Sequence, residues 1–129
     1  MKFPKDLRYT KTHEWVRKSG SLVTVGITDY AQKEMSDVVF VELPKMGKIG
    51  EAEKPIAVIE SVKAAFDIYS PVSGKVTKVN QNLEGDPGII NGEPYGQGWL
   101  FEMEMSDESQ WDALVSDQDY ERLIETHKS

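Results

Sequence analysis

A series of short apolar runs, rich in Val, Ile and aromatic residues and cut off by Gly, Pro, Ser or Asn, most constrains the fold of this chain. The runs occupy residues 13–16, 22–27, 38–43, 55–59, 66–69, 74–80 and 99–105. Runs of this length and composition read as β-strands. Helical patterns are few and short. Thr28 or Asp29 can cap one helix, with Gln32 three residues after Asp29 and Ala31 and Met35 on one apolar stripe. Trp111, Leu114 and Val115 repeat at helical spacing within 109–115. Ser116 and Asp117 can cap a last helix from Gln118 to about Thr126, with Tyr120, Leu123, Ile124 and His127 on one face. The expectation is a mainly β chain, one domain over residues 1–129, with short helices, the C-terminal ones included, packed outside the strands.

Other stretches are less regular. Residues 7–12 read as a polar opening segment, and 81–98 as a long loop rich in Gly, Pro, Asn and Glu. Loops of that length in compact domains are often functional. In 74–80, Val76 and Val79 fall on opposite faces, so the inward face is ambiguous. Pro44-x-x-Gly47-Lys48-Ile49 recurs 27 residues later as Pro71-x-x-Gly74-Lys75-Val76, a trace of two similar strand-turn units that face each other.

The two runs 55–59 and 66–69 have little between them, so they form a hairpin with Lys63 at its tip. A tip lysine projects from the body, and another protein can reach it. An ordinary solvated lysine would look the same.

Lys+Arg of 15 against Asp+Glu of 22 gives a net charge of −7. That balance argues against nucleic acid as a partner, since phosphate binding needs a basic face. It suits a monomer that docks transiently on partners with positive patches. The chain has no cysteine and so brings no thiol of its own. No apolar run approaches the roughly 18 residues of a membrane span. The first residues lack a signal or transit pattern. The sequence therefore reads as cytoplasmic and bacterial, with a processed mitochondrial-matrix form still open.

Glu60-Ser61-Val62-Lys63-Ala64, followed by Asp67-Ile68-Tyr69-Ser70-Pro71-Val72-Ser73-Gly74, resembles the lipoyl-attachment hairpin of the glycine cleavage H proteins. Lipoyl domains of 2-oxoacid dehydrogenases and biotin carriers also present a hairpin lysine. Biotin carriers usually flank it with methionines, and here the flanks are Val62 and Ala64. Further blocks extend the resemblance from about Tyr9 to Tyr120. They are Tyr9-Thr10-Lys11-Thr12-His13-Glu14-Trp15-Val16, Val25-Gly26-Ile27-Thr28-Asp29-Tyr30-Ala31-Gln32, Val38-Val39-Phe40-Val41-Glu42-Leu43-Pro44 and Pro94-Tyr95-Gly96-Gln97-Gly98-Trp99-Leu100. Two departures stand out. Met35-Ser36 replaces the usual Leu-Gly, and a serine forced to a left-handed helix end costs about 1 kcal/mol. Phe66 stands where small residues are common, and is expected to alter how an arm on Lys63 docks.

The resemblance implies a lipoyl-type β-sandwich, or barrel-sandwich hybrid. It implies lipoate in amide linkage to Lys63, within an attachment motif that includes Glu60, Val62 and Ala64. It implies a non-catalytic shuttle of glycine catabolism and one-carbon metabolism. Such a shuttle takes the aminomethyl group from a pyridoxal-phosphate glycine decarboxylase to a tetrahydrofolate-dependent aminomethyltransferase. A dihydrolipoyl dehydrogenase then reoxidises it, and a lipoate ligase or lipoyltransferase modifies it. An H-like lipoyl relay or redox carrier for another lipoyl-dependent system is the alternative. The family shelters its loaded arm in a cleft, and the matching positions are Thr12, Glu14 and Asp67. By residue type alone, Glu14 also fits an exposed strand carboxylate, and Asp67 a hairpin salt bridge.

Two further features invite chemistry. His13 stands beside Glu14, but neighbours in a strand point to opposite faces, and His127 is the only other histidine. The pair gives no metal-ligand spacing, and His13 reads as structural. Gly96-x-Gly98 precedes a strand rather than a helix, so it reads as a turn and not a phosphate loop.

Overall fold

The computed structural model describes residues 3–128, apart from the side chains of His127 and Lys128. Two antiparallel sheets enclose the main core. The larger sheet has the spatial order β1 (Arg8–Tyr9), β2 (Glu14–Ser19), β3 (Leu22–Ile27), β9 (Phe101–Met105), β8 (Gly74–Val79) and β5 (Ile49–Gly50). In the smaller, β6 (Pro55–Ser61) lies between β4 (Val38–Glu42) and β7 (Ala65–Tyr69). Alternation supplies the inner faces. Val16, Val23, Val25, Val76 and Met103 from the larger sheet meet Val41, Ile59 and Ile68 from the smaller in one buried cluster. The mainly β sandwich with short helices expected from the sequence is what the chain adopts.

The outer face of β2 builds a second cluster. Trp15 points away from Val16 and packs with Leu7, Tyr9, Tyr120 and Ile124. Gly26 lies opposite Trp15, and a β-carbon there would come within 2.5 Å of the indole ring. Any side chain at that position would displace the tryptophan. The cluster is closed by α5 (Asp117–Lys128), whose Tyr120 and Ile124 are buried as the spacing foretold. His127, placed on the same face by that spacing, lies outside the described side chains.

Several local expectations are corrected. Residues 7–12 are not simply a polar opening. Leu7 and Tyr9 are core residues, and Tyr9 pairs with both Trp15 and Val115. The 81–98 stretch holds two single-turn helices, α2 (Asn82–Gly85) and α3 (Ile89–Gly92). They drive Leu83 and Ile90 fully into the main core, so this loop closes one side of the sandwich. The ambiguity of 74–80 resolves as a bulge. Val76 pairs with Met103 and Lys78 with Glu102, leaving Thr77 extra. The bulge resets the pleat, so Val76 is buried and Val79 also packs on the core. The strand near 99–105 begins at Phe101 rather than Trp99, and the helix in 109–115 is only α4 (Ser109–Asp112).

Other readings hold. The repeated Pro-x-x-Gly units do face each other, with Ile49 opposite Lys75 and Gly50 opposite Gly74. Gly96-x-Gly98 is a turn, in which the N–H groups of both glycines donate to Glu93 O. Helix α1 (Asp29–Met35) is capped by Thr28, whose Oγ1 accepts from the Ala31 N–H, and it buries Ala31 and Met35. Its last residue is followed by Ser36 at φ 67°, ψ −155°. This is a region essentially reserved for glycine, at a cost on the order of 1–3 kcal/mol. Phe66 packs against the main core beside Ile68, on the face of β7 opposite Asp67.

Candidate functional site

The tip of the β6–β7 hairpin is built by Ser61. Its N–H donates to Ala64 O at 2.8 Å, and its Oγ accepts from the N–H groups of Lys63 at 3.2 Å and Ala64 at 3.3 Å. The Val62 N–H donates to Asp37 O at 3.0 Å, just ahead of β4. The turn backbone is thus pinned at three places, while Val62, Lys63 and Ala64 are all exposed. Glu60, the last exposed residue before Ser61, lies opposite Phe40 and Ala65. Lys63 therefore stands on a fixed turn with its side chain free to reach outward.

Glu14 lies at the other end of β7. It belongs to the inner face of β2, two residues before Val16, where the sandwich opens. It is fully buried, which overturns the reading of an exposed strand carboxylate. Oε1 accepts from the hydroxyls of Thr10 and Thr12, each at 2.5 Å, and Oε2 from the Tyr69 N–H at 3.2 Å. Tyr69 faces Pro55 at the far end of the hairpin, and its N–H donates not along the hairpin but across to Glu14 in the other sheet. Burial pushes the Glu14 carboxyl above its ordinary 4.5, and the bonds from Thr10, Thr12 and Tyr69 pull it back. A carboxylate has about four acceptor positions. The bonds from Thr10, Thr12 and Tyr69 fill three of them, and the Glu14 N–H, itself held by Thr10 Oγ1, also lowers the carboxyl's proton affinity.

Glu14 opens onto a cleft of about 480 Å³. Its walls include Thr10, Thr12, Tyr69, Glu53, Gln110 and Leu114. The α4 wall is held in place from two sides. Arg8 donates to Trp111 O at 2.8 Å and lies 4.7 Å from the Trp111 ring centroid, while Gln110 Oε1 accepts from the Ser73 N–H at 2.6 Å. Glu53, absent from the sequence reading, lines the cleft at φ 69°. Thr10 was missed as well.

The sequence candidates are therefore partly united. Thr12 and Glu14 are in direct contact. Asp67 is exposed on the outer face of β7, the face it shares with Ala65 and Tyr69, outside the lining of the cleft. No ion pair to it occurs among the described residues, which removes the salt-bridge reading. Lys63 lies beyond it at the tip. His13 is structural. Its φ of 76° turns the chain before β2 begins, and its Nδ1 lies 2.8 Å from the Tyr120 hydroxyl. Strand alternation therefore does not apply to it, yet it still faces away from Glu14. Among the described residues there is no cluster of His, Cys, Asp and Glu able to hold a metal ion, and no helix long and apolar enough to cross a membrane.

Residues 7–127 match the family model described as glycine cleavage H-protein. The chain is 53% identical over 122 residues to the glycine cleavage system H protein of Rubrobacter xylanophilus, covering 95% of this chain and 94% of that one. It is 48% identical over 122 residues to that of Carboxydothermus hydrogenoformans, with the same coverage. Among solved structures it is similar to a glycine cleavage system H protein from Mycobacterium marinum. The TM-score is 0.83 and the identity 33%, over 92% of this chain and 95% of that one.

Proposed function

The chain belongs to the glycine cleavage H-protein family, a carrier component of the glycine cleavage system and not itself a catalyst, and we propose that it carries aminomethyl cargo on a lipoyl arm attached to Lys63. The arm takes cargo from the glycine decarboxylase to the aminomethyltransferase and is reset by dihydrolipoyl dehydrogenase. The observation that carries this reading is the buried Glu14 carboxylate with one acceptor position left, at the foot of the strand that leads from Lys63.

The chain's residues fit such a group in three ways. Ser61 and Asp37 fix the turn, so a ligase or lipoyltransferase meets Lys63 in one place, with Glu60, Val62 and Ala64 around it. From Ala65 to Tyr69 the strand runs about 13 Å. A bare lysine spans about 6 Å at the advance per bond of an extended chain. Lys63 therefore needs an extension to serve the cleft, and Asp67 stands on the same outer face between the two. At the cleft, the free acceptor position of Glu14 matches one N–H of a primary ammonium. An ammonium paired there escapes the penalty of an unpaired buried charge. When bound, the lipoyl group supplies a disulfide that accepts the cargo on reductive opening and a dithiol that is later reoxidised. The −7 net charge and the acidic residues about the tip suit partners with cationic docking faces.

Intact mass after expression with a competent lipoate ligase tests the attachment. A lipoyl adduct is expected on the wild type and none on Lys63→Arg. A wild-type chain without adduct would end the proposal. Reconstituted glycine decarboxylation with the three partner enzymes then separates this role from that of a lipoyl relay in another system. A fully lipoylated chain that is inactive there would refute the glycine role.

A further inference from the structure

The two threonines on Glu14 Oε1 are not equivalent. Thr10 Oγ1 accepts the backbone N–H of Glu14 at 3.1 Å and donates to the carboxylate of the same residue at 2.5 Å. The Glu14 N–H fixes the hydroxyl from behind, so its single proton points at Oε1. The backbone around it is tied as well, with Thr10 N–H donating to Glu14 O at 3.0 Å and His13 N–H to Thr10 O at 3.2 Å. Thr10 is half-buried, whereas Thr12 is exposed. Among the described residues no backbone N–H holds Thr12 Oγ1, and it lies 3.2 Å from Thr10 Oγ1, where either hydroxyl could donate. With both protons on Oε1, that short contact carries none. If Thr12 leaves the carboxylate, its proton can turn to Thr10 and remain bonded.

We propose that Thr10 is the positioning residue that holds Glu14 ionised and oriented, and that Thr12 is the exchangeable donor that yields its place on Oε1 to a primary ammonium entering the cleft. The exchange is cheap because no donor is stranded. Thr12 passes from carboxylate to Thr10 or to water, and the ammonium replaces it on Oε1 while also reaching the open position on Oε2. Thr10 is the less free of the two, since its half-buried oxygen is also held by the Glu14 N–H. Other groups facing Glu14 are Lys11 from the same turn, Glu53 from the opposite wall, and the phenols of Tyr9, Tyr69 and Tyr120. None of these donates a hydrogen bond to its carboxylate, so burial raises its proton affinity and the two hydroxyls, the Tyr69 N–H and the Glu14 N–H oppose that rise. This assignment deepens the carrier reading and rests on it only for the identity of the cation.

The test is a carbon-detected NMR titration of the Glu14 side-chain carboxyl in the full, unlipoylated chain. Thr10→Val is expected to raise the proton affinity of Glu14 about tenfold. Thr12→Val is expected to change it less than about threefold, because water replaces an exposed donor. Thr10→Ser, which keeps the hydroxyl, should restore the wild-type midpoint. Should Thr10→Val not fold, Thr10→Cys gives a weak donor of similar size and the same expected direction. Equal shifts in the two valine variants, or a larger shift at Thr12, would overturn the assignment, as would an unchanged midpoint without the Thr10 hydroxyl. The titration involves no modified lysine. It therefore stands or falls apart from the lipoyl proposal, which the mass measurement decides.

Discussion

The hairpin tip and the cleft fix their key residues in opposite ways. At the tip the backbone is held, by Ser61 Oγ on the N–H groups of Lys63 and Ala64 and by Asp37 O on that of Val62, and the lysine side chain is left in solvent. In the cleft the side chain itself is held. Glu14 is fully buried, and its two oxygens take donors from Thr10 and Thr12 in the turn before β2 and from Tyr69 in the smaller sheet. The tip provides reach at no cost to packing. The cleft provides retention by making one charged group part of the contact between sheets. Changes at the tip should therefore touch function alone, and changes at the cleft should touch function and stability together.

The largest effect expected is at the tip. Lys63→Arg should remove the lipoyl adduct and bring reconstituted carrier activity to background. Its unfolding free energy in urea should stay within about 0.5 kcal/mol of wild type. A marked loss of stability would break the contrast, because it would mean that the lysine is also structural.

Glu14→Ala should behave differently. It leaves the Tyr69 N–H and the half-buried Thr10 hydroxyl without their acceptor, at an expected loss of about 1–3 kcal/mol in the same urea experiment. A neutral result would show that the bonds across the sheets add nothing to the fold.

Ser36→Gly serves as a control away from both regions. It relieves the φ 67°, ψ −155° conformation after α1 and should gain about 1 kcal/mol, the relief being offset in part by the flexibility of glycine. Lipoylation should be unaffected. A destabilised variant would show that the Ser36 backbone is not under strain.

A smaller effect should appear in pH. Burial lifts Glu14 above 4.5, so above that value the folded chain keeps a proton that the unfolded chain has released. The linked stability is fully present below 4.5 and is lost as pH rises through the raised midpoint. Glu14→Gln has no such proton to lose. Wild-type stability should therefore fall relative to the glutamine variant across that window. A difference flat in pH would show that Glu14 titrates alike in both states.

Much of the tip was legible because hairpins are local. Two short strand-like runs with little between them and a closing Pro71 place Lys63 without knowledge of the rest of the chain. The cleft is assembled from residues distant in sequence, and its signals are weaker. Residue type says that Glu14 should be exposed. Only its place on the inner face of β2, at the open end of the sandwich, buries it. Thr10, Thr12 and Glu14 do share period-two spacing, which offered a hint of a common face. The left-handed turn at His13, which folds Thr10 back onto Glu14, has no glycine or asparagine to announce it. Loop 81–98 misled for a related reason. Its composition is that of a mobile connection, yet Leu83 and Ile90 anchor it to the core. That Phe66 faces the core was not legible, because the face of β7 that meets the core depends on register with β6, which the short runs alone do not set.

The account joins these regions through one claim, that cargo carried from Lys63 is retained at Glu14. The most direct measurement is the half-life of the aminomethyl-loaded chain in water at neutral pH, in wild type and Glu14→Gln. Glutamine keeps the shape and the acceptor for Tyr69 but loses the charge. The account predicts at least a tenfold shorter half-life in the variant, with lipoylation intact. Equal half-lives would contradict it.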